Sequence, residues 1–209
     1  DENTNELSIT AYDALYKAAQ HTYSELSIPA AAMTPYDVAI LCRQVLGLSG
    51  CTHNGGNGWD TSYESGPNYE GTETLREVLD DIAEATQSIY YIAKNDVLYF
   101  KKLNKDGAAL LSIDKSKYIS LDSKTNRRLA KIVHATELGD NVSASLAVTG
   151  TTQYVRDNAF WNLRDDIDTL VENALAAIGG LTINQFNCEW RGNYLLEPGD
   201  KINLVTKDY

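Results

Sequence analysis

The sequence predicts an α+β fold: a helix-plus-hairpin lobe followed by a β-barrel-like lobe that carries one long helix. Three observations lead there. The first third of the chain holds repeated Thr-x-x-carboxylate signatures of helix starts. From residue 88 the apolar pattern shortens to the alternation of strands broken by turn residues. Between two such strand-rich stretches, residues 158 to 178 return to a helical period.

The elements follow in order. Thr10 with Asp13, Thr34 with Asp37 and Thr74 with Glu77 each place a hydroxyl where it can accept from a first-turn N–H while the carboxylate bonds back. Pro35 stands at a first helical position, where its fixed φ suits the helix; Val38, Leu41, Cys42 and Val45 share a face, and Gly47 supplies the stop. Residues 49–69 form a long Gly-, Asn- and Tyr-rich loop with room for one short strand. Leu75, Val78, Leu79 and Ile82 then make the buried stripe of a helix that runs to about Gln87.

SIYYIAKNDVLYFKKL at 88–103 reads as a β-hairpin turning at Lys94-Asn95-Asp96. LAKIVHAT and VSASLAVTG form a second strand pair around Gly139-Asp140-Asn141. Phe160, Leu163, Ile167, Leu170, Val171, Ala174, Leu175 and Ile178 recur at helical spacing, which predicts one helix over 158–178 ended by Gly179-Gly180. The tail alternates as strands around Arg191-Gly192-Asn193 and Glu197-Pro198-Gly199-Asp200. The resulting division is a linker helix and connection at 1–33, an α+β lobe at 34–118 and a β-rich lobe at 119–209.

Composition narrows the function. With 43% hydrophobic and 22% charged residues the chain has the profile of a soluble globular protein, and no apolar run approaches a membrane span. The N-terminal DENTNELSIT lacks the basic and apolar regions of a signal peptide. A net charge of −11 repels nucleic acid and anionic lipid, so neither nucleic acid nor membrane is expected as a partner. The cluster Lys124, Arg127, Arg128 and Lys131 reads as a solvated surface turn.

Candidate chemistry is sparse. Cys51 and His53 in GCTHNGGNGWD could give zinc two ligands, but a structural site needs four and a catalytic site three plus water. His21, His134, Cys42 and Cys188 are the other possible donors; the last three already read as core or strand residues. As a nucleophile and base, Cys51 and His53 would sit on a loop without rigid support. Asp80-Asp81-Glu84 and Asp165-Asp166-Asp168 fall on the polar faces of amphipathic helices. Phosphate loop, dinucleotide fingerprint, Gly-x-Ser-x-Gly elbow and His-Glu-x-x-His motif are all absent. The expectation is therefore no catalytic residue, no cofactor and no metal.

Four stretches resemble the tail-tip or baseplate hub proteins of bacteriophages and prophages. TETLREVLDDIAEA at 72–85, with Arg76, and the hairpin after it resemble that family's Arg-containing helix and hairpin. DNAFW at 157–161 is similar to an Asn-Pro-Phe motif at the head of a long helix, with Asn158 and Phe160 matching and Ala159 in place of the Pro. RGNYLLEPGDKI at 191–202 resembles the family's closing turn and strand through Gly192, Asn193, Glu197, Gly199 and Asp200. AYDAL at 11–15 with TPYDV at 34–38 resembles the linking helix and the start of the second module.

That resemblance implies a non-enzymatic scaffold, an excised middle portion of a hub that closes as a homotrimer against distal tail or baseplate proteins. It implies residence in the virion tail, and in the host cytoplasm during assembly. Lacking the flanking modules, this portion alone is expected to be a monomer or weak oligomer. Trp59, Tyr63 and Tyr69 in the long loop are the candidate partner contacts; the same rings could instead cover the lobe's own core. The other classes in play are a carbohydrate-binding module using that aromatic loop, and a cell-wall hydrolase built on the acidic pairs.

Overall fold

The computed structural model describes residues 13–29, 32–55, 58–60, 62, 67–102, 107–135, 141–156, 158–162, 165–180, 182–190, 192–193 and 195–205. Four α-helices lie among them: α1 (Ala14–Ala18), α2 (Pro35–Val45), α3 (Leu75–Ala85) and α4 (Ile167–Ile178). The strands are β1 (Gly50–His53), β2 (Ser88–Ile92), β3 (Val97–Lys102), β4 (Leu111–Ile113), β5 (Tyr118–Ala135), β6 (Asn141–Ser145), β7 (Thr151–Arg156), β8 (Thr182–Trp190) and β9 (Ile202–Leu204).

Both long N-terminal helices start as their capping residues dictate. Thr34 Oγ1 accepts from the Asp37 N–H at 3.1 Å while Asp37 Oδ2 accepts from the Thr34 N–H at 2.8 Å. Thr74 and Glu77 repeat the exchange on α3 at 3.3 and 2.7 Å. At the far end of α2, Gly47 takes a φ of 70°, the Leu48 N–H reaches back to the Arg43 carbonyl and the Gly47 N–H to that of Gln44. These bonds satisfy the last carbonyls, which a Cβ at Gly47 would disfavour. The first helix differs from its expected start. Asp13 is itself the cap, its Oδ1 accepting from Leu15 and Tyr16 N–H groups, and Thr10 lies outside the described residues.

Leu75, Val78, Leu79 and Ile82 are fully buried, as the stripe on α3 requires. They pack against Val38, Ala39 and Cys42 of α2 and against Leu98 and Phe100 in one continuous core. The sheet behind them has the order β1-β3-β2, with β2 and β3 the expected hairpin and β1 parallel to β3. Asp96 sits in the turn at φ 58°, a left-handed conformation that Asp tolerates better than most residues. The opening residues of the long loop, GCTH, are thus an edge strand in register with Val97–Phe100.

The second lobe departs from a barrel. Among the described residues no sheet closes on itself. The 18-residue β5 divides its partners along its length: the Tyr118–Arg128 part pairs with β8, and the Leu129–Ala135 part with β6 on one side and β7 on the other. Register breaks fall within each half, between Ser123 and Asn126 in the part paired with β8 and between Leu129 and Lys131 in the part paired with β7. One bulged strand therefore serves divergent sheets, where a barrel would need continuous pairing around the circuit. A separate ribbon pairs β4 with β9 in parallel, joining the end of the first lobe to the C-terminal strand.

The helix expected over 158–178 begins only at Ile167. Residues 158–162 instead form one isolated turn, in which the Asn158 carbonyl accepts from the Trp161 and Asn162 N–H groups at 3.0 Å each. Gly180, at φ 76°, ends α4 and donates its N–H to the Leu129 carbonyl of β5. Leu170, Val171, Ala174 and Leu175 face the core, joined there by Ile132 and Val155.

Candidate functional site

Of the residues singled out by their motifs, Asn158 and Phe160 lie at the seam between the α3–hairpin unit and the β-rich lobe. Asn158 is its pivot, fully buried. Its Oδ1 accepts from the Phe160 N–H at 3.0 Å and the Trp161 N–H at 3.1 Å, which holds the isolated turn. Its Nδ2 donates to the Asp81 carbonyl at 3.1 Å and to Glu84 Oε2 at 3.0 Å. One amide so satisfies groups on both sides of the seam, and no shorter or hydroxyl side chain has the two donors and the acceptor to do so. Phe160 follows, fully buried, with its ring centroid 6.3 Å from that of Tyr69 in an edge-on arrangement.

Asp81 and Glu84 correct the expectation of a solvated acidic face on α3. Asp81 is half-buried, and Tyr69 donates its hydroxyl to Asp81 Oδ2 at 2.8 Å. Burial pushes the Asp81 carboxyl up to about 6, with the charges of Glu84 and Asp80 adding to the shift and the Tyr69 hydrogen bond opposing it. Burial also raises Glu84, against the pull of the Asn158 amide. The turn at 158–162 meets α3 at these two residues, where Asn158 bonds the Asp81 carbonyl and the Glu84 carboxylate. Asp80, on the outer side, is exposed, as are Asp165, Asp166 and Asp168 on and before α4.

A second junction lies at the C-terminal turn. Asp200 Oδ2 accepts from the Glu197 N–H at 2.8 Å and the Asp200 N–H returns to the Glu197 carbonyl at 3.1 Å, closing Glu197-Pro198-Gly199-Asp200 on itself. The closed turn docks on the hairpin of the first lobe. Tyr91 donates its hydroxyl to Glu197 Oε2 at 2.8 Å, and Lys101 forms an ion pair with Asp200, each side chain 16% exposed. Lys101 holds the Asp200 carboxyl below its ordinary range. Gly199, at φ 76°, lies so close that a Cβ there would fall 2.6 Å from Ile89 Cδ1. Gly192, also at φ 76°, and Asn193, whose Oδ1 accepts from the Leu195 N–H at 3.0 Å, shape the chain leading into this turn.

Arg76 belongs to neither junction. Its guanidinium lies over the Tyr90 ring, 5.2 Å from the centroid, and pairs with Asp80 at 3.6 Å while Tyr90 donates to Asp80 at 2.6 Å. Trp59, 3% exposed, packs inside its own lobe: it stacks on His53 with centroids 4.4 Å apart, meets Phe100 edge-on and donates its indole N–H to the Gly55 carbonyl at 3.0 Å. A ring so enclosed leaves no face for a neighbour. Tyr63 lies outside the described residues, and Tyr69 is committed to Asp81, Tyr23 and Phe160.

The Cys51–His53 pair is likewise taken up by packing. His53 is sandwiched between Trp59 and the edge of Tyr36, and the Cys51 carbonyl accepts from the Tyr36 hydroxyl at 2.9 Å. Burial pushes the Cys51 thiol up to about 12, which keeps it protonated and weakly nucleophilic at neutral pH. Among the described residues no three His, Cys, Asp or Glu side chains gather in a way that could hold a metal ion, and no helix is long and apolar enough to cross a membrane.

No family model matches the sequence, and no curated protein matches it. Solved structures do. A tail protein from Neisseria meningitidis MC58 superposes with a TM-score of 0.59 at 12% identity, over 90% of this chain and 61% of that one. The 43 kDa tail protein of prophage MuSo2 from Shewanella oneidensis gives 0.56 at 12% identity, over 94% and 60% respectively. The fold is that of phage and prophage tail proteins. This chain spans about six tenths of the length of those two neighbours. The superposition covers both lobes of this chain, which meet at Asn158 and at the Glu197–Asp200 turn.

Proposed function

We propose that this chain is a non-enzymatic structural component of a phage or prophage tail, part of the tail-tip or baseplate hub. In the full-length protein it contributes to a homotrimeric ring that joins the tail tube to distal host-recognition or wall-degrading modules. The observation that carries this reading is the shared tail-protein fold over nine tenths of the chain. The site chemistry supports it. Buried carboxylates, amide and turn are spent on holding one lobe against the other, a use that suits a part under mechanical load. The virion tail is accordingly its place, with the host cytoplasm as the site of assembly, and distal tail proteins are its partners besides itself.

Inactivating the gene in its phage or prophage and imaging the particles by negative-stain electron microscopy tests the reading. Loss of the distal tip, or of assembled tails altogether, with heads intact is the expected result. Complete tails with normal tips would refute it.

A further inference from the structure

The sheet of the first lobe ends on one side at β2, which stands last in the order β1-β3-β2 and so has no strand beyond it among the described residues. The hairpin fixes which of its main-chain groups turn outward. Ala93 donates its N–H to the Val97 carbonyl at 2.9 Å; by the alternation of an antiparallel pair, Tyr91 and Ile89 also bond toward β3, while Ile92, Tyr90 and Ser88 direct their N–H and C=O groups away from it. The far side of β3 agrees, since the Phe100 carbonyl there accepts from the Asn54 N–H and the Lys102 N–H donates to Asn54 Oδ1.

That outer edge borders a cavity of about 400 Å³ at the seam. Ser88, Ile89 and Tyr90 all line it, and successive residues, whose side chains point to opposite faces, share one wall when that wall is the strand's edge. All three are half-buried, and Asp80 and Gln153, also in the lining, are exposed, so the cavity opens to solvent between α3 and β7. Its charge is of one sign: Asp80 and Glu84 line it, and no Lys or Arg does. Asp80 accepts from the Tyr90 hydroxyl and meets Arg76 only at 3.6 Å, and Glu84 accepts from Asn158, so each carboxylate retains room for a further donor.

These walls select an extended peptide. The edge calls for main-chain donors and acceptors at strand spacing, Ile89 and Tyr90 for apolar side chains beside them, and the two carboxylates for a positive one. A small cation would leave the edge unpaired. An acidic segment would be repelled, and a net charge of −11 disfavours a second copy of this chain as the occupant.

We propose that the β2 edge in the seam cavity takes up an extended, basic segment of a partner protein as an added strand. The site is independent of the role in the tail, so its failure would leave the structural function untouched. The test uses the 209-residue chain labelled with ¹⁵N and the peptide acetyl-Thr-Val-Arg-Val-Thr-amide. Titration should give saturable amide shifts centred on residues 80–90 and Gln153. At saturation the Tyr90 N–H should exchange with solvent about tenfold more slowly, while that of Tyr91, already bonded to β3, changes little. N-methylation of the peptide's Arg and Val amides should weaken binding about tenfold or more, and so should replacing its Arg by norleucine. Glu84→Gln, which keeps an acceptor for Asn158, should weaken the Arg peptide about tenfold and the norleucine peptide by less than about twofold. No saturable shift, equal binding of the N-methylated peptide, unchanged exchange at Tyr90, or the same shifts on concentrating the chain without peptide overturns the proposal.

Discussion

Asn158 Nδ2 donates to the main-chain carbonyl of Asp81 across 77 residues of sequence, at 3.1 Å. Through this bond and its companion to Glu84, a turn of the second lobe is fixed to the third helix of the first. Replacing Asn158 with Ala removes four hydrogen bonds at a fully buried position, although the Trp161 N–H keeps the main-chain carbonyl of residue 158 as an acceptor. The expected loss is about 2–4 kcal/mol, read as a lower urea midpoint with an unchanged slope. A loss below about 0.5 kcal/mol would show that the seam does not depend on this residue.

The buried carboxylates give stability a defined pH dependence. Asp81 titrates near 6 in the folded chain against an ordinary 3.8, so the folded state holds a proton that the unfolded state has released. Its contribution is fully present below about pH 4 and is lost as pH rises through about 6; Glu84, also raised, acts in the same direction. Asp81→Asn keeps an acceptor for Tyr69 and should flatten the fall between pH 4 and 7, with a gain on the order of 2 kcal/mol at pH 7. Thermal melts across that range check it; parallel pH profiles for variant and parent would count against the assignment.

At the other junction, Tyr91→Phe and Asp200→Asn each remove one contact between the hairpin and the C-terminal turn. Each should cost about 1 kcal/mol. Because Glu197 and Asp200 close the same turn, the two changes should be non-additive, with a coupling of about 0.5 kcal/mol or more in a double-mutant cycle. Strict additivity would mean that the turn does not dock as a unit.

Helix starts offer a local control. Thr74→Ala should lower stability by about 1 kcal/mol through loss of the exchange with Glu77, without altering the pH profile, since the cap lies away from Asp81. Chemical denaturation at pH 5 and pH 7 separates this effect from that of the seam.

The features legible in the sequence were those specified by residues close together in the chain. The Thr34 and Thr74 caps, the Gly47 stop, the Lys94-Asn95-Asp96 turn and the alternating strands each depend on partners a few residues apart, and each forms as expected. Where partners lie far away, the pattern misled. Phe160 and Leu163 continue the helical period of α4, but Asn158 captures the N–H groups of Phe160 and Trp161 and sets a separate turn. Asp81 and Glu84 sit at polar positions of α3, and only the approach of residues 158–162 removes them from water. Asn158, Glu197 and Asp200 stand out through a motif resemblance, but their role in joining two lobes depends on partners that only the folded chain brings together.

The proposed place of this chain is in a phage tail. Electron cryomicroscopy of purified tails tests it most directly. The account predicts density at the distal end of the tube into which both lobes fit as one unit, joined at the Asn158 and Glu197–Asp200 junctions, in three copies around the tail axis. Purified, infective tails without the chain, or with density for it only along the tube or at the head-proximal end, would contradict the account.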